Sequence, residues 1–210
     1  MNYYVPIQQN EACNKPTLSQ LRYTPHILGR RFALTTTAYK YLDIGISVGS
    51  MSYVEMILGN NKGSQIILPY TTWKAFIERR ADIERLVRST LPSSRLVICD
   101  LVIEIVKIRD ENIVKLTLLN TSLYMKPLTI LFLYELEHCA EYVYNQLHQK
   151  TYSVSDKYKH FVSLLRQNYI TTKHDAVKLL NERYDKTCII DCELMTYGVN
   201  NILYDALCNN

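Results

Sequence analysis

The stretch Tyr41-Leu42-Asp43-Ile44-Gly45-Ile46-Ser47-Val48-Gly49-Ser50-Met51-Ser52-Tyr53-Val54-Glu55-Met56-Ile57-Leu58-Gly59-Asn60 decides how this chain folds. Leu42, Ile44, Ile46 and Val48 alternate with Tyr41, Asp43, Gly45 and Ser47, the period-two signature of a strand with one buried face. After Gly49-Ser50 the alternation resumes, with Val54, Met56 and Leu58 on one side. Gly59-Asn60-Asn61-Lys62-Gly63 is a turn signal, and Gln65 to Leu68 reads as a further strand. Upstream, Arg31 to Thr37 is a β-prone run. Pro69 stops the ladder, Thr71 or Thr72 is placed to cap, and Trp73, Phe76, Ile77, Ile83, Leu86 and Val87 fall near helical spacing. In order, the unit is ββββα.

The same order recurs sixty residues further on, where Leu101 to Asn120 lines up with Tyr41 to Asn60. Only Val54/Val114, Leu58/Leu118 and Asn60/Asn120 are identical, so pattern and order carry the match rather than identity. Two positions strain the alignment: Glu104 falls where the scheme places core, and Lys126 replaces apolar Leu68. Pro127-Leu128-Thr129 then answers Pro69-Tyr70-Thr71, and Leu133, Leu136, Ala140, Val143, Tyr144 and Leu147 form the stripe of a second helix. From Thr151 the chain reads as helix. Ser155 is placed to cap a helix carrying Tyr158, Phe161, Val162 and Leu165, Thr172 to cap a second, and Ile189 to Leu207 makes a third.

The expected fold is therefore α+β: two ββββα units with curved antiparallel sheets, followed by a helical C-terminal subdomain. Residues 1–28 read as a flexible arm with Pro6, Pro16 and Pro25, 29–90 as the first unit, 91–150 as the second and 151–210 as the helical part.

Charge separates the two halves more than composition does. Arg30 to Thr90 holds nine Lys/Arg against five Asp/Glu, whereas Leu91 to Lys150 holds six against seven. A basic half is the minimum footprint of a polyanion partner. The longest dense apolar run, Leu128 to Leu133, is broken by Thr129, so no membrane partner is expected. Met1 to Asn10 lacks the basic start and apolar centre of a secretory leader, which points to an intracellular protein, nuclear or cytoplasmic.

Chemistry is sparse. Six scattered cysteines form no CxxC pair and read as reduced, mostly buried thiols, and the five histidines stand in no metal-ligating spacing. There is no glycine-rich phosphate loop. No metal, cofactor or catalytic residue is expected, and an enzyme is not.

Gly63-Ser64-Gln65-Ile66-Ile67-Leu68-Pro69-Tyr70-Thr71-Thr72-Trp73-Lys74-Ala75-Phe76 resembles the last strand and helix start of the positive cofactor four family of single-stranded-DNA-binding transcriptional coactivators. In that family a Gly-Ile-Ser-Leu type strand runs through a capping segment into a helix with a Trp near its start. The likeness spans Arg30 to Val87 and, more faintly, Leu91 to Gln149; two such units followed by helices is similar to the layout of the Whirly family. The resemblance implies a curved sheet whose outer face holds unpaired nucleic acid, with a role in transcription or replication. It makes Trp73 the counterpart of the family's helix-start Trp and places Lys62 in a turn that is basic in the family.

Alternation offers further residues on the faces opposite the core: Tyr39, Tyr41 and Tyr53 in the first unit, with Lys40 among them, and Lys107 and Lys115 in the second. Arg30 and Arg31 open the first strand. Aromatic rings that stack bases, together with cations that track phosphates, are what a single strand of DNA or RNA requires. The same tyrosines also suit strand packing, and Trp73 suits a helix anchor. The expected partner is single-stranded DNA, or RNA, bound by a homodimer or by an internal pseudo-dimer of the two units. A protein-interaction module built on the same sheets, without nucleic acid, is the alternative.

Overall fold

The computed structural model describes residues 24–88 and 94–208. Strands β1 (His26–Ala33), β2 (Lys40–Ser47), β3 (Tyr53–Asn60) and β4 (Gln65–Leu68) form one antiparallel sheet in chain order. Strands β5 (Arg95–Ile98), β6 (Leu101–Ile108), β7 (Glu111–Leu118) and β8 (Thr121–Met125) form a second sheet in the same way. Helices follow each sheet, and a helical part closes the chain, so the architecture is the α+β arrangement expected from the duplication.

β1 begins inside the stretch expected to be an arm and ends before the expected Thr37. The hairpin sets this limit: Leu34 N–H donates to Lys40 O at 2.8 Å and Ala38 N–H to Thr35 O at 2.9 Å, so Thr35 to Tyr39 is used up in the turn. β1 is also bulged between Ile27 and Arg30. Leu28 takes a positive φ of 54°, and its N–H donates to the Glu193 carboxylate at 2.6 Å, tying this strand to the C-terminal helices.

The second sheet shows why Glu104 misfits the sixty-residue offset. Leu42 pairs with Leu58 and Ile44 with Met56 in the first sheet, whereas Leu101 pairs with Leu118 and Ile103 with Leu116 in the second. β6 is thus slipped by one residue relative to β2, while β7 keeps the offset of β3. A one-residue slip exchanges the faces of a strand. Leu101, Ile103 and Ile105 therefore enter the core, and Glu104 turns outward between Arg95 and Lys115.

Each expected single helix is two. α1 (Tyr70–Glu78) and α2 (Arg80–Arg88) break at Arg79; α3 (Pro127–Glu135) and α4 (Glu137–His148) break at Leu136. Neither Thr71 nor Thr72 caps α1, which has Pro69 at its N-cap and no side-chain cap bond. Pro127, by contrast, is the first helical residue of α3, where its missing N–H costs no hydrogen bond. Trp73 donates its backbone N–H to Pro69 O and Ile130 donates to Lys126 O, so Trp73 and Ile130 occupy equivalent places.

The helices interlock between the units. α4 packs on β2 and β3 of the first sheet, and α1 and α2 touch β5 of the second. Tyr70 stacks on Tyr144 with ring centroids 3.7 Å apart, Phe76 on Tyr134 at 5.1 Å, and Lys74 Nζ meets the Glu141 carboxylate at 2.6 Å. Residues of both units share one apolar cluster. Each large apolar side chain in it contributes about 1.5–3 kcal/mol by leaving water.

The C-terminal part contains α5 (Thr151–Gln167), α6 (Lys173–Arg183), α7 (Ile189–Glu193) and α8 (Val199–Cys208), with a π-helical turn at Leu194–Gly198 joining the last two. Thr172 caps α6 as expected, accepting from Asp175 N–H at 3.2 Å. Ser155 lies within α5 instead of capping it, and its Oγ accepts from Ser52 N–H in the β2–β3 turn. No helix of the described residues is long and apolar enough to cross a membrane.

Candidate nucleic-acid interface

On the outer face of the first sheet, strand pairing sets His26 beside Ser47, Arg31 beside Asp43, and Ser47 beside Tyr53. Tyr41 and Tyr53 do lie on this face, as expected, yet in different states. Tyr41 is buried: its ring lies over Gly59, where a Cβ would come within 2.5 Å of it, and the Arg31 guanidinium covers it at 3.8 Å. Tyr53 is 56% exposed, but its hydroxyl donates to Glu55 at 2.9 Å.

The basic side chains of this face are already engaged. Arg31 holds Asp43 through Nε and Nη2, and His26 holds the other oxygen of Glu55 at 2.7 Å. The His26 hydrogen bond draws the Glu55 carboxyl below its ordinary value, against burial that pushes it up. A phosphate arriving here meets two carboxylates and no free guanidinium. Arg30, one residue away, faces the other side of the strand, 5.4 Å from the Phe32 ring.

Trp73 is removed from the expected contact set. It is fully buried beside Phe76, and its indole N–H has no hydrogen-bond partner among the described residues. A base outside the protein has no path to a ring at zero exposure, and the residue anchors α1 to the core. Lys107 and Lys115 do not share a face either, because the slip of β6 places Lys107 in the phase of Ile103 and Ile105, at the exposed strand end. Lys115 lies outward and reaches Glu104 at 3.6 Å, in a row that runs Arg95, Glu104, Lys115, Tyr124 across the sheet.

Tyr39 and Lys40 come together elsewhere. The β1–β2 connection leans over the second sheet and closes a cleft of about 420 Å³, lined by Thr35, Thr37, Tyr39 and Lys40 from the first unit. The second unit supplies Ile108, Ile113, Tyr124, Met125, Lys126 and Thr129. The connection is rigidly held: Lys40 N–H donates to Thr35 Oγ1 at 3.2 Å, and Asn61 N–H to Tyr39 O at 3.1 Å. The last bond sets the β3–β4 turn, with exposed Lys62 and its left-handed Gly63, directly against Tyr39.

Lys40 stands out electrostatically. It is only 9% exposed, and its ammonium has no hydrogen-bond acceptor or carboxylate among the described residues; its neighbour is the Tyr39 ring, 5.4 Å away. Burial lowers its pKa. Lys126, at the N-cap of α3, pairs loosely with Glu111 at 3.2 Å on the exposed rim. Apolar walls, two tyrosines and two lysines are chemically suited to a ligand that is part ring and part anion.

Sequence reasoning named Tyr39 and Lys40 but missed Ile108, Ile113, Tyr124 and Lys126. Tyr124 carried a local signal, alternating outward in its strand; that it would face Tyr39 depends on how the two sheets dock. The cysteines also differ from expectation: Cys99, Cys139 and Cys208 are exposed, Cys188 and Cys192 half-buried, and Cys13 lies outside the described residues. Among the described residues no group of three His, Cys, Asp or Glu side chains is placed to hold a metal ion. No protein-family model matches this chain, and no curated protein matches it in sequence.

Proposed function

We propose that this chain binds single-stranded nucleic acid, DNA in preference to RNA, at the junction of its two units. The observation that supports this reading is the cleft that pairs Tyr39 and Tyr124 with Lys40 and Lys126. A base must be unpaired and unstacked to enter such a cleft, which favours single strands over duplex. Each base stacked on a tyrosine adds about 1–3 kcal/mol, and the lysines, with Lys62 alongside, attract the backbone in a salt-dependent way. The outer face of the first sheet, neutralised by its own carboxylates, is a secondary surface in this reading. A role in transcription or replication follows from the family resemblance and is part of the same proposal.

The test is fluorescence anisotropy with labelled single-stranded DNA, single-stranded RNA and duplex of one sequence across a salt series. The expected result is tighter binding of the single strands, weakening as salt rises. Absence of binding at low salt, or equal binding of single strand and duplex, rejects it.

A protein-interaction module is the second reading, favoured by that ion-paired, tyrosine-bearing first sheet. Charge reversal of Arg30, Arg31 and Lys62 separates the two. Unchanged oligonucleotide binding in that variant and in Lys40→Met supports a protein partner.

A further inference from the structure

We infer that the junction cleft recognises a nucleoside phosphomonoester, the chemistry shared by the phosphorylated end of a single strand and a free mononucleotide. The strand-end form of this inference rests on the nucleic-acid reading above; the chemistry of the cleft does not.

Two cation-bearing features line one small space. Lys40 is nine-tenths buried with no anionic partner among the described residues. The second is the start of α3, a nine-residue helix whose N-cap Lys126 and first-turn Thr129 both line the cleft. Lys126 adds a second ammonium to the lining, whereas the helix start offers no amide for an anion there: Pro127 has no N–H, and the Thr129 and Ile130 amides both donate to Lys126 O. A phosphodiester within a strand carries one negative charge; a terminal phosphate carries close to two at pH 7, its second ionisation falling at about pH 6. The dianion is the better match for a lining that carries two lysines.

Size and wall chemistry point the same way. A volume of about 420 Å³ admits one nucleotide and no run of stacked bases. Ile108, Ile113 and Met125 give the apolar walls, and Tyr39 and Tyr124 the rings against which a single base can lie. An internal nucleotide must leave the cleft by chain on both sides, a terminal one by chain on one side only. Lys40 brings a charge that no carboxylate among the described residues compensates and whose nitrogen is not sealed from solvent, so an arriving anion meets it without first breaking an ion pair.

The experiment compares one oligonucleotide sequence with a 5′-phosphate, a 3′-phosphate, hydroxyls at both ends, and closed into a circle, alongside competition by deoxythymidine monophosphate, deoxythymidine and inorganic phosphate. The full chain is used, with Lys40→Met, Lys40→Arg and Glu111→Gln variants. The expected result is at least tenfold tighter binding of one phosphorylated oligonucleotide than of its hydroxyl form. That advantage should vanish in Lys40→Met, survive in Lys40→Arg and grow in Glu111→Gln, which frees Lys126. Melting temperature, expected to rise in Lys40→Met, shows that lost binding is not lost folding. Equal affinity for phosphorylated, hydroxyl and circular forms, with the monophosphate no better a competitor than the nucleoside, overturns the inference. Direct Lys40-dependent binding of the monophosphate with no oligonucleotide bound supports the cleft chemistry, assigns the free nucleotide as ligand and rejects the nucleic-acid reading.

Discussion

The two units share an element order and a broken helix, yet differ in what they do with their conserved places. In the first, the key helix position is Trp73 and the outer face is sealed: Tyr41 on Gly59, Arg31 on Tyr41, Asp43 on Arg31. In the second, the same helix position is Ile130 and the outer face is open, with Val97 and Tyr124 partly bare beside a loose row of charges. The residues that look most like a binding face in the first unit are spent on holding it together. Aromatic and basic composition marks both a packed sheet and a binding sheet, and only the partners of each side chain tell them apart.

Replacing the helix anchors tests this most severely. Trp73→Ala should cost about 3–5 kcal/mol in unfolding free energy and exceed Ile130→Ala, because the larger ring leaves the larger cavity. Urea denaturation measures both. The milder Trp73→Phe should leave oligonucleotide affinity unchanged, and a selective loss of affinity in it would return Trp73 to the binding surface.

The next effect separates the outer faces. Gly59→Ala should cost about 1–3 kcal/mol, since its methyl collides with the Tyr41 ring, and the cost should shrink in the Tyr41→Ala background. At the offset-equivalent position of the second sheet, in the turn between β7 and β8, exposed Leu119 sits at a φ of 52°, so Leu119→Gly should be neutral or stabilising by up to about 1 kcal/mol. Opposite signs at the two positions in thermal melts would sharpen the contrast; equal signs would erase it.

The smallest effect is a pH dependence confined to the first sheet. The folded pKa of Glu55 lies below the ordinary value of 4.5, so its stabilisation is present above that value and is lost as pH falls through the lower folded one. Glu55→Gln should therefore lower stability by about 1 kcal/mol at pH 7 and flatten the acid limb of a stability profile. A parallel shift at all pH values would show that the carboxylate is not what His26 and Tyr53 hold.

Strand number, order and the duplication were legible because Tyr41 to Leu58 alternates cleanly and Gly59 to Gly63 can be little but a turn. β6 was not legible in phase. Leu101-Val102-Ile103-Glu104-Ile105-Val106 is apolar in both phases, so period two does not choose between them, and the one informative residue, Glu104, was the one that disagreed with the repeat. The helix breaks at Arg79 and Leu136 carry neither Gly nor Pro, so no local sequence signal marks them. Half of the cleft was legible, Tyr39 and Lys40 from their place beside a strand. The rest, Ile108, Ile113, Tyr124 and Lys126, is gathered by docking two sheets that no local period describes.

The connection Leu34–Tyr39 that roofs the cleft has for its counterpart in the second unit only the two-residue turn Cys99–Asp100. In an assembly of identical units every junction is built twice, and a change to one is a change to both. Joining the units in one polypeptide lifts that restriction, and here one connection spans six residues while the other is a bare two-residue reversal. The roof over the cleft is therefore formed by one unit only, and the proposed ligand would bind once per polypeptide.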